Sequence, residues 1–158
     1  MKKIIIITLV VLTVIILILT NIRYPKLKEN AIAFTMEEYK SEIDDTLYGS
    51  ITYNNRVYIP YGTLKGHIKT KDIKECIGYI IQDENSSSYT DKNDKDTRVY
   101  TLTKDEDENF LMIYYIGTTL MNEPDFFRAI DTNNKNINIP SFIDNGDYGY
   151  WTKGDKNE

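Results

Sequence analysis

The pattern of apolar positions changes character along the chain, and each change predicts a different element. Ile4 to Ile22 is a nineteen-residue run directly behind Lys2 and Lys3, its only polar members being Thr8, Thr13, Thr20 and Asn21. As a helix it would be roughly 28 Å long, close to the ~30 Å hydrocarbon core of a bilayer. The run, with Ile4, Leu9, Val14, Leu19 and Ile22 spaced along it, therefore predicts a transmembrane helix anchored in lipid. Further on, Thr35-Met36-Glu37-Glu38 fits a capping box. Met36, Tyr39, Ile43 and Leu47 then recur at helical spacing up to Gly49, which predicts an amphipathic helix.

After Gly49 the period becomes two. Ile51 and Tyr53 alternate with polar neighbours, Asn54-Asn55 supplies residues that tolerate positive φ, and Val57 and Ile59 resume the alternation, which together predict a β-hairpin. Thr70 to Cys76 reads as a short helical turn and Gly78 to Gln82 as a strand, followed by a polar loop from Asp83 to Asp96. Arg98 to Thr103 and Phe110 to Ile116 read as paired strands around the charged turn Lys104 to Asn109. The second of these runs lacks alternation, so both of its faces should be covered, one of them by a helix. Phe126 to Ile130 offers another strand, and Ile137 to Ile143 an edge strand interrupted by Pro140.

These elements predict an α+β fold: the transmembrane helix, then an antiparallel sheet with one amphipathic helix and a short helical turn. The domain division follows, with an anchor and basic flank at 1–29, one folded domain at 30–151 and a polar tail at 152–158. About that many residues suffice for one core and are too few for two.

The competing reading of the leader is a cleaved signal peptide, for which Ala31-Ile32-Ala33 offers an A-x-A pattern. That pattern lies far beyond the apolar run, so retention is favoured. Lys2 and Lys3 ahead of the run favour a cytoplasmic N-terminus, and a long downstream domain crosses regardless of its charge. The expectation is a single-pass protein of the cell membrane, in contact with the bilayer through residues 4–22 and with its C-terminal domain outside.

Charge narrows the partners. Residues 1–29 carry a net +4 against a chain total of −5, which leaves −9 on the other 129 residues. An acidic body argues against nucleic acid, because phosphate neutralisation needs clustered Lys and Arg. The single Cys76 permits no internal disulfide, which suits a bacterial surface better than a disulfide-rich secretory route.

Arg98-Val99-Tyr100-Thr101-Leu102 followed by Asp105-Glu106-Asp107-Glu108-Asn109-Phe110-Leu111-Met112 resembles the strand-turn-strand of small membrane-tethered or lipoprotein-type extracytoplasmic domains of Gram-positive bacteria. Their role is unassigned, and the resemblance implies no catalytic residues.

Catalytic candidates are few. Nucleophilic hydrolysis needs a nucleophile held by a base, and the only His67 sits in Lys65-Gly66-His67-Ile68-Lys69, remote in sequence from Cys76, which reads as a small core residue. One His and one Cys fall short of a zinc set. Asp91 to Asp96 and Asp105 to Asn109 gather oxygen ligands, but neither loop has Gly at its sixth position, and the twelfth positions fall on Leu102 and Ile116. No metal and no cofactor is expected.

Thirteen tyrosines remain, and Tyr58, Tyr61, Tyr114 and Tyr115 are the candidate contact residues, since rigid amphipathic rings suit a protein or glycan partner. The functional expectation is a tethered domain that binds a protein or envelope component without catalysis. The alternative is a surface hydrolase acting on envelope polymers.

Overall fold

The computed structural model describes residues 24–81, 95–116 and 123–151. Those residues form β1 (Ile32–Thr35), β2 (Glu37–Lys40), β3 (Leu47–Tyr53), β4 (Arg56–Leu64), β5 (Ile73–Ile81), β6 (Thr97–Leu102), β7 (Phe110–Tyr115), β8 (Asp125–Ala129) and β9 (Ile143–Asn145). Two single-turn 3-10 helices, Thr70–Asp72 and Ile130–Thr132, are the only helical elements among them. The fold is therefore almost all β, and the expected α+β class is corrected.

Eight strands lie in the order β1-β5-β6-β7-β8-β4-β3-β2, and β9 pairs with β4 beside that path. Every pairing is antiparallel except β1 with β5. At ~4.8 Å between strands, a flat path of this kind would hold its two ends roughly 34 Å apart. Yet its end strands, β1 and β2, are separated in sequence by Met36 alone. One residue cannot bridge that gap, so the sheet curls into a half-barrel. The Phe34 ring of β1 meets the Tyr53 ring of β3 edge-on at 6.2 Å, which brings β1 against the strand next to the other end.

Strand alternation sorts the side chains onto two faces. Phe34, Ile51, Tyr58, Ile77, Ile80, Val99, Leu111, Ile113, Phe127 and Ala129 make one buried cluster drawn from strands alone. Phe34 of β1 and Ile51 of β3, strands from opposite halves of the path, both contribute to it, so we assign it to the concave side. The opposite face carries Ile59, Tyr61, Cys76, Tyr100, Leu102, Phe110, Met112 and Phe126. Tyr24 and Leu27 cover it from the N-terminal side, and Ile137, Ile139, Phe142, Tyr148, Tyr150 and Trp151 from the C-terminal side. The unalternated run Phe110–Tyr115 is thus covered on both faces as expected, but by irregular chain instead of a helix.

Arg128 of β8 pins that cover. Its side chain has no solvent exposure. Nε donates to Thr132 Oγ1 and Nη2 to the Thr132 carbonyl, both at 2.8 Å. The guanidinium lies 4.8 Å from the Trp151 ring centroid and 5.2 Å from that of Tyr61. Trp151 Nε1 donates in turn to the Pro60 carbonyl at 2.7 Å, tying the C-terminal segment to β4.

Several expected elements are corrected. The amphipathic helix over Met36–Leu47 is instead β2, a turn and the start of β3. Its apolar stripe has no shared buried face: Ile43 is 54% exposed and Leu47 59%. Ser41 Oγ accepts from the amides of Ile43 and Asp44, which closes the turn and favours a hairpin over a helix. The hairpin β3–β4 forms as read, with Asn54 and Asn55 at φ 50° and 60°. The edge strand expected over Ile137–Ile143 shrinks to β9. Ala31-Ile32-Ala33 leads into and forms part of β1.

Among the described residues no helix is long and apolar enough to cross a membrane. The expectation of a transmembrane, single-pass membrane protein is corrected on that finding, and residues 4–22, on which it rested, lie outside the described residues.

Gly78 tests the curl. A Cβ there would stand 2.1 Å from the Ile32 carbonyl oxygen and 2.6 Å from the Phe34 ring. Gly78→Ala should therefore push β1 off β5 and cost about 3 kcal/mol, read as a lower urea midpoint. An unchanged midpoint would mean that β1 is not docked there.

Candidate functional site

Three segments distant in sequence converge at one rim of the half-barrel. The chain leaving β4 runs from Lys65 to Lys69 in mostly exposed form, with only Ile68 turned into the core. Lys69 is extended at φ −98°, ψ 148°, and the 3-10 turn Thr70–Asp72 follows. Asp72 is buried; its Oδ2 accepts from the Lys69 amide at 3.1 Å, and its own amide donates to the Lys69 carbonyl at 2.8 Å. The second segment is held by the Thr103 amide, which donates to the Asp72 carbonyl at 2.9 Å and so places Lys104. The third is the turn Pro140–Ile143, fixed by a Lys65 amide bond to the Phe142 carbonyl at 2.8 Å.

Between them lies a cleft of about 260 Å³ lined by His67, Lys69, Lys71, Asp72, Lys104, Pro140, Ser141 and Phe142. Three lysines and the only histidine face one small space, while the whole chain carries −5. Asp72 supplies the opposing charge, but its carboxylate is engaged by backbone. The surplus is cationic, and the ammonium groups are exposed point charges that stay hydrated. Such a cleft can hold a negatively charged group. Ser141 and His67 are both among its lining residues.

Cys76 is buried on the outer-facing cluster of β5, and its thiol donates to the Gly78 carbonyl at 3.6 Å. Burial pushes the thiol above its usual value, which is the reverse of an activated nucleophile.

The four tyrosines named from sequence do not form a face. Tyr58 and Tyr61 have no exposure and point to opposite sides of β4. Tyr58 donates to the Glu108 carbonyl at 2.7 Å, and desolvation raises its phenol to about 12. Tyr61 packs edge-on against Phe110 and Trp151. Tyr114 is half-buried and stacked on Tyr24 at 4.7 Å, and Tyr115 is half-buried at the end of β7. A contact surface built on Tyr58 and Tyr61 is therefore unavailable.

The acidic turn after β6 is likewise structural. Arg56 donates from Nη1 to the carbonyls of Asp107 and Glu108 and from Nη2 to Asn109 Oδ1, and its Nη2 sits 2.9 Å from Asp131 Oδ1. Asp105 is buried, and its Oδ2 accepts from the Phe110 amide at 2.6 Å. Among the described residues no group of three or more His, Cys, Asp or Glu is placed to hold a metal ion. The first acidic loop, residues 91–96, lies largely outside the described residues.

Comparison with family models, with curated proteins and with solved structures found no match for this chain. The cleft must therefore be argued from its own chemistry. Sequence reasoning passed over it, although Lys65, His67, Lys69 and Lys71 recur at every second residue in an acidic chain. Lys104 could not have been added, because the pairing of β5 with β6, continued by the Asp72–Thr103 bond, brings it near.

Asp105 yields a pH prediction. Burial raises its carboxyl above the usual value, outweighing the amide bonds from Phe110 and Asn109 and the Arg56 charge that lower it. A raised folded pKa contributes stability below the unfolded value of ~3.9, and that contribution is lost as pH rises through the folded value. Asp105→Asn keeps an acceptor for Phe110 without the charge. From pH 4 to 7 it should gain stability relative to wild type in chemical melts. Asp105→Ala orphans the amide and should cost about 1–3 kcal/mol. Equal losses for both variants would show that the carboxylate charge itself holds the turn.

Proposed function

We propose that this protein is a non-catalytic binding domain whose ligand presents negative charge to the cleft of His67, Lys69, Lys71 and Lys104. The observation that carries the reading is the convergence of Lys69, Lys71 and Lys104 from two separate segments onto about 260 Å³ of space in a net-acidic chain. An acidic protein gains nothing from collecting like charges at one rim, since their mutual repulsion costs stability. A bound anion removes that cost. Lining from Pro140 and Phe142 adds an apolar wall, so the ligand is amphipathic instead of a bare ion.

The partner class is a protein or glycan, in keeping with the charge argument against nucleic acid. Support for a non-catalytic role comes from Cys76, whose thiol is buried and raised, and from carboxylates such as Asp72 and Asp105, which are committed to backbone amides.

An amide NMR titration with inorganic phosphate tests the reading. Shifts should be confined to residues 65–72, 103–105 and 140–142. Lys69→Glu combined with Lys104→Glu should remove them while moving stability by no more than about 0.5 kcal/mol, because both side chains are exposed. No shifts, or shifts spread evenly over the surface, would refute the site. Turnover of peptide or glycan substrates by the purified protein would refute the non-catalytic role.

A further inference from the structure

We propose that Tyr48 is a shielded one-electron redox site, a tyrosine whose radical forms as its phenolic proton passes to Asp44. Aromatic rings of the outer face touch one another in sequence. Tyr61 meets Trp151 at 5.5 Å between centroids, Trp151 meets Tyr150 at 4.8 Å, and Tyr150 meets Tyr48 at 6.2 Å. Two branches lead toward solvent: half-buried Tyr39 lies 5.9 Å from Tyr150, and half-buried Tyr148 lies 6.2 Å from Tyr48. Core packing explains rings in contact. It does not explain the charges set at the two ends of the series.

Arg128 stands at one end, its guanidinium 4.8 Å from the Trp151 centroid and 5.2 Å from that of Tyr61. Taking an electron from either ring sets a second positive charge beside the first in buried surroundings, where Coulomb repulsion is poorly screened. Asp44 stands at the other end. The Tyr48 hydroxyl donates to Asp44 Oδ2 and accepts from the Tyr150 amide at 3.2 Å. A Cβ on residue 149 would lie 2.6 Å from the same Oδ2, so Gly149 is what lets the carboxylate reach the phenol. Hydrogen bonds from the Ser41 and Tyr48 hydroxyls hold the Asp44 carboxyl below its usual value, which leaves it ionised at neutral pH. By contrast, Tyr58 donates to the Glu108 carbonyl, an oxygen that cannot keep a proton.

An electron hole in these rings therefore settles on Tyr48. Tyr48 gives one electron, through Tyr148 or through Tyr150 and Tyr39, to an outer-sphere one-electron oxidant in solution, which is reduced by one electron. The phenolic O–H bond breaks, the proton bonds to Asp44 Oδ2, and a neutral phenoxyl radical remains. An oxidised phenol is a far stronger acid than a carboxylic acid, so the transfer runs downhill. Asp44 is partly exposed and passes the proton on to water, whereas Tyr48 is 6% exposed, which keeps its radical from meeting other molecules. A thiol reductant returns the electron and a proton and restores the phenol.

Flash oxidation of the full chain by photogenerated tris(bipyridine)ruthenium(III), read by electron paramagnetic resonance, tests the proposal. A persistent neutral tyrosyl signal should form, and 3-fluorotyrosine placed at position 48 should add a fluorine splitting to it. Tyr48→Phe, which keeps the ring, should leave only a short-lived signal. Asp44→Asn keeps an acceptor for the hydroxyl but cannot take its proton, and with an unchanged melt it should form the radical severalfold more slowly.

A signal without the fluorine splitting puts the hole on another ring and overturns the proposal, as does an equal radical lifetime in wild type and Tyr48→Phe. An Asp44→Asn rate equal to wild type overturns the proton transfer. None of these rings lines the cationic cleft, so either failure leaves the anion reading standing.

Discussion

Everything in this fold depends on the single residue between β1 and β2. These strands stand at opposite ends of an eight-strand path, and Met36 alone joins them. Chain connectivity therefore dictates curvature: the sheet must roll until its first and last strands adjoin, because one residue spans less than about 4 Å. Rolling removes one liability. It shields a cluster of ten buried residues that no described segment outside the strands covers. Gly78 is part of the same solution, since only a residue without Cβ lets the Ile32 carbonyl and Phe34 ring come so close.

A rolled sheet leaves its outer face to be covered by something else, and here the cover is irregular chain. Such a cover must satisfy its own backbone groups and be held at discrete points. Arg128 is one such point, with Thr132 on one side and the Tyr61 and Trp151 rings on the other. Asn133 Nδ2 donates to the Tyr150 carbonyl at 3.3 Å, and the Tyr150 amide to the Tyr48 hydroxyl at 3.2 Å. The same cover carries Pro140 to Phe142 to the rim, where it meets the cationic segment after β4. The cleft is thus a by-product of how the outer face is closed, and its rigidity derives from the sheet beneath.

The sequence made some of this legible and hid the rest for identifiable reasons. The β3–β4 hairpin could be read because Asn54-Asn55 fits a turn with positive φ, and β6, β7 and β8 could be read because β-branched and aromatic residues cluster there. The helix over Met36–Leu47 was misread because four apolar residues fell at helical spacing by chance, while the pairing of β2 with β3 satisfied the backbone better. Tyr58 and Tyr61 looked like contact residues because tyrosine count says nothing about burial, and a sheet covered on both faces consumes its rings as core. Lys104 escaped because the pairing of β5 with β6, continued by the Asp72–Thr103 bond, brings it to the cleft from about thirty residues away. Nothing local encodes that approach. Lys69 and Lys71 were readable from the start and gained meaning only beside Lys104.

The central claim is that both ends of the sheet meet within one molecule. An isotope-filtered nuclear Overhauser experiment on a mixture of labelled and unlabelled protein tests it most directly. The account predicts intramolecular cross-peaks between the Phe34 and Tyr53 rings, alongside the backbone contacts of β1 with β5 and of β2 with β3. Absence of the Phe34–Tyr53 contact while both strand pairings persist, or its appearance only between labelled and unlabelled molecules, would contradict the closed curl.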